Sequence, residues 1–353
     1  VNDTLPLTDS RQAPHGRKEE ARVARQWCHY QMLPHTHTTL ARPAQVWTAL
    51  CLVYILWGST YLGIAVVVSG APPLLAAGSR FAVAGVIVAV VVAIRRDWRA
   101  LAITRRQLAG TALIATMLLG VGNGGVSLAE RYVPSSASAL LIASVPLWVI
   151  LLRALSHDGP SAITWAGVAF GLAGVVALVA VLGHDDPAPG DGYIDIPGWQ
   201  VALWLIVILL GTLTWALGSF LSPRIVKSGW APDNSMVMVT WQFLIAGGLL
   251  AAFGLLRSED LGALARVDAK VFIAWLLIVI AAVVAYSCYT WLLQNAPISL
   301  TSTYAYVNPL VAMFLGWLLL SEPMQPMVLG SAALIIVGVL LVVRGETRAR
   351  DGQ

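Results

Sequence analysis

Polar residues that could bind a small molecule recur at helical spacing inside apolar stretches of the sequence. In the stretch 107–129 and just after it, they run from Thr116 through Asn123 to Glu130 at steps of three and four, so they share one face of a helix. Asn and Tyr groups form hydrogen bonds, and aromatic rings contact apolar parts of a ligand. We predict a central cavity lined by Trp57, Tyr61, Asn123, Trp215, Ser219, Tyr286, Tyr304 and Asn308. The alternative is that these groups bond one helix to another, which we favour for the serines and threonines.

A pair of opposite charges is predicted near one membrane surface. Arg80 lies well inside the stretch 72–94, and Glu130 ends the following stretch on the same side of the membrane. Because an unpaired charge inside a membrane is costly, we predict that the two pair. When the two halves of the chain are aligned, the matching positions hold Gln242 and Leu293. Two roles are open, an outer gate or proton-sensitive element and a static clamp, and we favour the clamp because arginine near a helix end is often positional.

Motifs for catalysis or metal binding are missing from the sequence. It contains no Gly-x-x-x-x-Gly-Lys-Ser/Thr, His-Glu-x-x-His or Gly-x-Ser-x-Gly pattern, so neither ATP-driven pumping nor hydrolysis is indicated. Cys28, Cys51 and Cys288 have no spacing typical of a disulfide framework or zinc site. His35 and His37 lack a third ligand. We therefore expect no catalytic residues, no metal and no cofactor.

The composition is that of a membrane protein. Of 353 residues, 58% are hydrophobic and 11% are charged, against roughly 25% charged in a soluble domain. A bilayer core of about 30 Å takes about 20 apolar residues per helix. We therefore predict an all-α integral membrane protein with ten transmembrane helices. Their predicted bounds are 46–69, 72–94, 107–129, 134–155, 162–182, 199–221, 234–256, 271–293, 298–320 and 325–343.

Lys and Arg residues predict the orientation of the chain. They are concentrated in 1–45, 95–106 and 344–353, which lie on one side of the membrane if ten helices are counted, and cytoplasmic segments are rich in these residues. Segment 257–270 on the other side is the main exception. We predict a multi-pass protein of the cell membrane with both termini cytoplasmic, 1–45 as a disordered tail and 344–353 as a second tail. The basic residues flank membrane helices, so the net charge of +4 does not indicate nucleic acid as a partner.

The two halves of the sequence match each other. At an offset of 162 residues, Phe81 and the four residues after it match Phe243 and the four after it. At an offset of 163 residues, four further pairs match, namely Pro134 with Pro297, Pro146 with Pro309, Pro160 with Pro323, and Gly167 with Gly330. Because Pro146 and Pro309 fall inside predicted helices, where proline removes a backbone hydrogen bond, we predict helix bends at both.

This match predicts an internal duplication. The first repeat would cover 46–182 and the second 199–343, with an outer linker at 183–198. Each repeat holds five helices, an odd number, so the second must enter the membrane from the opposite side. Inverted repeats of this kind recur in secondary transporters, with the substrate held near the midplane.

Several short motifs carry a resemblance to a known family. They are Trp57-Gly58-Ser59-Thr60-Tyr61, Arg80-Phe81, Gly122-Asn123-Gly124, Pro134-Ser135, Val145-Pro146-Leu147, Trp215-Ala216-Leu217-Gly218-Ser219 and Tyr304-Ala305-Tyr306-Val307-Asn308-Pro309. With them the sequence resembles the drug/metabolite transporter superfamily, in particular the EamA-type ten-helix exporters. The resemblance implies a cavity enclosed by helices one to four and six to nine, with helices five and ten packed behind. It also implies export of metabolites, amino acids or drugs from the cytoplasm.

We therefore predict a secondary transporter that works by alternating access, because inverted repeats supply two similar states. The scarcity of fixed charges in the predicted cavity indicates a neutral, zwitterionic or partly apolar small-molecule substrate. Its partners would be that substrate and the lipid bilayer, with protons or a counter-substrate as candidates for coupling and a homodimer as a candidate assembly. A channel, which needs a continuous pore, and a membrane-embedded enzyme remain alternatives.

Overall fold

The computed structural model describes residues 43–155, 161–184, 194–296, 301, 304–321 and 325–351. The predicted tail up to residue 42 and most of the predicted linker, residues 185–193, lie outside these ranges. The helices described here all belong to the compact unit Arg42–Gln353.

Ten apolar helices account for the membrane region that the structure describes. They are α1 Pro43–Gly70, α2 Pro73–Arg96, α3 Arg105–Ala129, α4 in two parts, Ser135–Ile142 and Val145–Leu155, α5 Ala162–His184, α6 Gly198–Lys227, α7 Ser235–Leu256, α8 Ala269–Asn295, α9 Tyr304–Leu320 and α10 Pro326–Asp351. The first eight are long and apolar enough to cross a membrane, and α9 and α10 contain shorter apolar stretches. The prediction of an all-α membrane protein with ten helices is confirmed.

Polar caps explain where several helices begin. The first amides of a helix have no partner within it, and at a membrane surface a side chain can accept from them. Thr104 and Gln107 form a capping box at the start of α3. The Asn234 side chain accepts from two amides at the start of α7, and Asp268 accepts from the amide of Val271 in α8. These polar caps therefore lie where a polar turn ends and the apolar interior of a helix begins.

Successive helices run in alternate directions, which defines two sides of the bundle. We call them the Pro43 side, where α1 begins, and the Gly70 side, where it ends. The turns after α2 and α6 lie on the Pro43 side and meet there. Trp241 at the start of α7 donates its indole N–H to the carbonyl of Leu101 at 2.9 Å, and Arg106 lies over the ring of Trp230.

Helices α2 and α7, which are equivalent in the two halves, cross in direct backbone contact. A Cβ atom on Gly247 would lie 2.7 Å from the amide nitrogen of Ala82, and one on Gly78 would lie 2.7 Å from that of Ala251. Only glycine permits so close an approach. Residues that come later in α2 contact residues that come earlier in α7, so the two helices are antiparallel.

The crossing brings matched residues together. The rings of Phe81 and Phe243 stack with centroids 5.6 Å apart, and these residues are separated by the repeat offset of 162. An element that meets its own copy in the antiparallel direction has the geometry of a twofold axis in the membrane plane. The two halves are therefore inverted repeats, as predicted.

Helices α5 and α10 form a second pair of equivalent helices. A Cβ atom on Gly167 would lie 2.6 Å from the amide nitrogen of Val342, and one on Gly174 would lie 2.8 Å from that of Ile335. This pair is also antiparallel. Its packing extends to Gly345, which lies against Thr164, so α10 continues through most of the segment 344–353 that we predicted to be a tail.

Both halves contain a π-helical segment at matching positions. In α3 it covers Thr116–Asn123, and in α8 it covers Ala282–Tyr286, which corresponds to 119–123 at an offset of 163. A π segment takes more residues per turn than an α-helix, so the predicted polar stripe of α3 does not keep to one face. Thr116 is exposed, whereas Ser127 is buried.

The two matched prolines have different local structures. Pro146 is the second residue of the second part of α4, after an interruption at 143–144. Pro309 lies inside α9, which is continuous around it. A helix bend at each proline remains a prediction, and the symmetry of the sequence at these positions does not extend to the backbone.

Candidate functional site

A cavity with about 570 Å³ of empty space, solvent at its opening included, lies between the two halves of the molecule. Residues of α1, α3 and α4 from the first half and of α6 and α9 from the second half line it. They are Trp57, Thr60, Tyr61, Ile64, Gly122, Asn123, Val126, Ile142, Val145, Ile208, Gly211, Thr212, Trp215 and Tyr304. None of the lining residues comes from α5 or α10.

Five of the eight predicted cavity residues line this cavity, namely Trp57, Tyr61, Asn123, Trp215 and Tyr304. The other three, Ser219, Tyr286 and Asn308, are buried beside it. Sequence reasoning missed the wall formed by Thr60, Thr212 and several glycine and aliphatic residues. Thr60 lies within the Trp57–Tyr61 motif, and Thr212 lies on the same helical stripe as Trp215. The aliphatic positions carried no signal that distinguished them from lipid-facing ones.

Five aromatic side chains, Trp57, Trp215, Tyr286, Tyr289 and Tyr304, form what we call the aromatic cluster. The Trp57 ring contacts each of the other four, at centroid distances from 4.8 Å to Tyr289 to 6.4 Å to Tyr286. Aromatic pairs of this kind contribute about 0.5–1.5 kcal/mol each beyond the area they bury. The cluster therefore joins helices of both halves through a single central ring.

The aromatic cluster closes the cavity toward the Pro43 side. Along α1 the other lining residues, Thr60 to Ile64, follow Trp57 in the direction of Gly70. Along α6, which runs the opposite way, the lining residues 208–212 precede Trp215. On both helices, therefore, the cavity lies on the Gly70 side of the cluster. A hydrogen bond between the hydroxyls of Ser219 and Tyr289, 3.0 Å long, ties α6 to α8 at the closed end.

Behind one wall of the cavity lie the predicted charged residues. Arg80 and Glu130 are 2% and 1% exposed, and they interact electrostatically. Arg80 Nη2 donates to Asn123 Oδ1 at 2.9 Å. The Glu130 carboxylate also interacts with Tyr61. The charges thus sit one side chain away from the cavity, behind Asn123 and Tyr61, and do not line it. Whether they act as a gate or as a clamp stays a prediction.

Asn308 contacts backbone and not the cavity. With its amide nitrogen turned toward them, it donates to the carbonyls of Tyr304 and Tyr54 at 3.2 Å each. It therefore bonds the first turns of α9 to α1, which corresponds to the helix-joining alternative of the sequence analysis.

Thr212 connects the interruption of α4 to α6. Its hydroxyl donates to the carbonyl of Leu209 at 2.7 Å and accepts from the indole N–H of Trp148 at 2.9 Å. The hydroxyl of Ser144, in the interrupted turn, lies 3.0 Å from it. These bonds hold the cavity wall at the point where Pro146 prevents a regular helix.

No cluster of three or more His, Cys, Asp or Glu side chains that could hold a metal ion occurs within the described ranges. The polar groups of the site are therefore hydroxyls, one amide and the charges behind the wall. This set can bind the polar groups of a small organic molecule while the aromatic rings contact its apolar part.

Comparison with known proteins identifies what the chain is similar to. A model of the EamA-like transporter family matches residues 46–180 and again residues 202–344, so one match falls in each half. The uncharacterised inner membrane transporter YedA of Escherichia coli K12 is 32% identical over 299 residues, covering 84% of this chain and 90% of that protein.

More distant relatives are also transporters by name. The uncharacterised transporter YoaV of Bacillus subtilis is 22% identical over 303 residues, covering 84% of this chain and 96% of that protein. The S-adenosylmethionine/S-adenosylhomocysteine transporter of Chlamydia trachomatis serovar L2 is 21% identical over 308 residues, covering 85% and 90%. A solved crystal structure, 16% identical, superposes with a TM-score of 0.59 over 85% of this chain and 98% of that one, which supports the fold alone.

Proposed function

Because the chain belongs to the EamA-like transporter family, we propose that it carries a small neutral or zwitterionic molecule with an apolar part across the membrane by alternating access. The chain is a multi-pass membrane transporter. The observation that carries the proposal is the cavity between two inverted halves, lined by residues from both. A site of this kind can be exposed first to one side and then to the other when the halves move relative to each other.

The lining chemistry supports the substrate class. Trp57, Trp215 and Tyr304 offer aromatic faces, and Thr60 and Asn123 offer hydrogen-bonding groups. No charged side chain lines the cavity within the described residues, so a substrate with a net charge would lose its hydration without gaining a direct ion pair. A zwitterion carries no net charge, and its polar end fits the wall in front of Arg80 and Glu130.

The aromatic cluster would be the closed gate of this state. Opening the Pro43 side requires its rings to separate while the Gly70 side closes. Arg95, Arg96, Arg99, Arg105 and Arg106 lie at that side, where α2 ends and α3 begins. This enrichment favours a cytoplasmic Pro43 side, and loading from that side makes the transporter an exporter.

S-adenosylhomocysteine is one candidate substrate, suggested by the name of the chlamydial relative. It combines a zwitterionic amino acid end with a flat adenine ring, and it carries no net charge. Amino acids with aromatic side chains fit the same chemistry.

Flux in sealed proteoliposomes tests the proposal. A panel of radiolabelled S-adenosylhomocysteine, tryptophan, phenylalanine and glucose should contain at least one solute whose flux is saturable and accelerated by the same solute on the opposite side. Ohmic current without saturation would instead indicate a channel. Chemical conversion without net movement would indicate an enzyme.

A pair of neighbouring variants ties that flux to the cavity. Asn123→Ala removes one hydrogen-bonding group and should raise the KM about tenfold, which corresponds to a bond of about 1.4 kcal/mol. Val121→Ala, two residues away on the exposed face of the same π segment, should leave KM within about twofold. Equal effects of the two variants would contradict the assignment of this cavity as the substrate site.

A further inference from the structure

Gln242 and Tyr286, in the half of the bundle toward the Pro43 side, are among the buried polar side chains without a hydrogen bond in the part of the chain that the structure describes. Gln242 in α7 is fully buried, and neither its amide nitrogen nor its amide oxygen has a partner among the residues that the structure describes. The hydroxyl of Tyr286 in α8, 2% exposed, is in the same situation. Leaving such a group buried and unsatisfied costs about 1–3 kcal/mol. A second conformation in which these groups gain partners would account for this cost.

These two positions are equivalent to the polar wall of the cavity in the first half. Gln242 matches Arg80 at an offset of 162, and Tyr286 matches Asn123 at an offset of 163. In the first half the pair is bonded, because Arg80 donates to Asn123, and Asn123 lines the cavity. Asn123 and Tyr286 each end the π segment of their half.

The two pairs lie on opposite sides of the contact between the halves. The stacked rings of Phe81 and Phe243 mark that contact, and each is the residue after Arg80 or Gln242. The Tyr286 ring lies 5.1 Å from that of Phe243. Since α7 begins and α8 ends on the Pro43 side, Gln242 and Tyr286 lie toward that side. Arg80 and Asn123 lie toward the Gly70 side, where the cavity is.

We infer that Gln242 and Tyr286 form the polar end of the substrate site in the state that opens to the Pro43 side. This rests on alternating access as proposed above, in which the second half takes up the arrangement that the first half has here. Substrate or water then supplies the hydrogen bonds that the two groups lack in the present state. Because an amide and a phenol carry no charge, this end of the site binds uncharged hydrogen-bonding groups, in contrast to the end backed by Arg80 and Glu130.

Cysteine accessibility tests the inference. In a chain whose native cysteines are replaced by alanine, Gln242→Cys is treated with a membrane-impermeant maleimide from each side of the membrane in turn. Arg99→Cys marks the Pro43 side, and Leu261→Cys marks the Gly70 side, since both residues are exposed at the surface. Ala246→Cys is the matched control, because Ala246 is equally buried one turn further along the same helix, next to Gly247, whose backbone approaches α2.

We expect Gln242→Cys to react from the Pro43 side at least tenfold faster than Ala246→Cys. The panel solute with the fastest flux should slow that reaction at least fivefold. If Gln242→Cys reacts no faster than Ala246→Cys, or reacts without protection by that solute, the inference is wrong. Tyr286→Cys, read in the same way, replaces Gln242→Cys if the latter does not fold.

The two proposals fail in different ways. Absence of saturable flux by the unmodified chain would overturn the proposed function. Saturable flux together with an unreactive Gln242→Cys would overturn this inference and leave the proposed function standing.

Discussion

The two halves of the molecule share a framework and differ in the polar groups placed on it. Both contain a π segment at matching positions, and both contribute a phenylalanine to the stack at their contact. On this common frame the first half holds Arg80 bonded to Asn123, whereas in the second Gln242 and the Tyr286 hydroxyl have no hydrogen-bond partner among the described residues. The comparison teaches that features required by helix packing are alike in the two halves, while the polar groups at the equivalent positions differ.

The helix ends show the same divergence. The carboxylate of Glu259 accepts from the amides of Leu74 and Leu75 at 2.9–3.2 Å, so it caps α2 from the other half. The matching residue at an offset of 162 is Asp97, which accepts from the amide of Arg99 in its own half. The Glu259 carboxylate thus links the two halves on the Gly70 side, whereas the matching carboxylate of Asp97 on the Pro43 side caps a helix of its own half.

Making the first half resemble the second at Arg80 should reduce the stability of the protein more than any other change considered below. Arg80→Gln leaves the buried carboxylate of Glu130 without the arginine charge, and loss of one member of a buried pair costs about 3–5 kcal/mol. We expect a marked fall in melting temperature measured in detergent. The double variant Arg80→Gln with Glu130→Gln should recover part of this loss. Arg95→Gln at the exposed end of the same helix should change stability by about 0.5 kcal/mol or less; an equal loss there would refute the buried pair.

Disturbing the crossing of α2 and α7, which both halves share, should have an intermediate effect on stability. Gly247→Ala forces a methyl group toward the backbone of Ala82, and overpacking of this kind costs about 1–3 kcal/mol. Gly248→Ala is the control, because a Cβ atom there meets nothing within 4 Å. It should be neutral or stabilising by up to about 1 kcal/mol, because alanine favours the helix. Thermal unfolding followed by the loss of monodisperse protein compares the two, and similar melting temperatures would contradict the close crossing.

Removing the carboxylate caps of the helices should have the smallest effect on stability. Glu259→Ala takes a charged acceptor from two amides of α2, and the expected loss is about 1–2 kcal/mol. Asp97→Ala removes an exposed local cap, for which we expect about 0.5 kcal/mol. Limited proteolysis in detergent, with cleavage rates compared between the two variants, measures the difference. A greater loss for Asp97→Ala would reverse the asymmetry described here.

Sequence reasoning predicted the family resemblance and the inverted arrangement correctly. Apolar length identified the helices because a bilayer demands about 20 such residues per crossing. The observed helix starts differ from the predicted ones by a few residues; for example, α1 begins at Pro43 and not at residue 46. Export, alternating access, the coupling partner and a homodimer stay predictions.

Residue types and helical spacing were sufficient to identify a membrane protein built from two opposed copies, and to predict many of its buried polar residues, although Thr116 of the predicted stripe is exposed. The tertiary structure decided which of those residues meet a cavity and which meet another helix. Asn123 lines the cavity, whereas Ser219 bonds Tyr289 and Asn308 bonds backbone. Spacing along a helix determines which residues share a face, but the neighbour opposite that face depends on how the other helices pack and on where a π segment rotates the face.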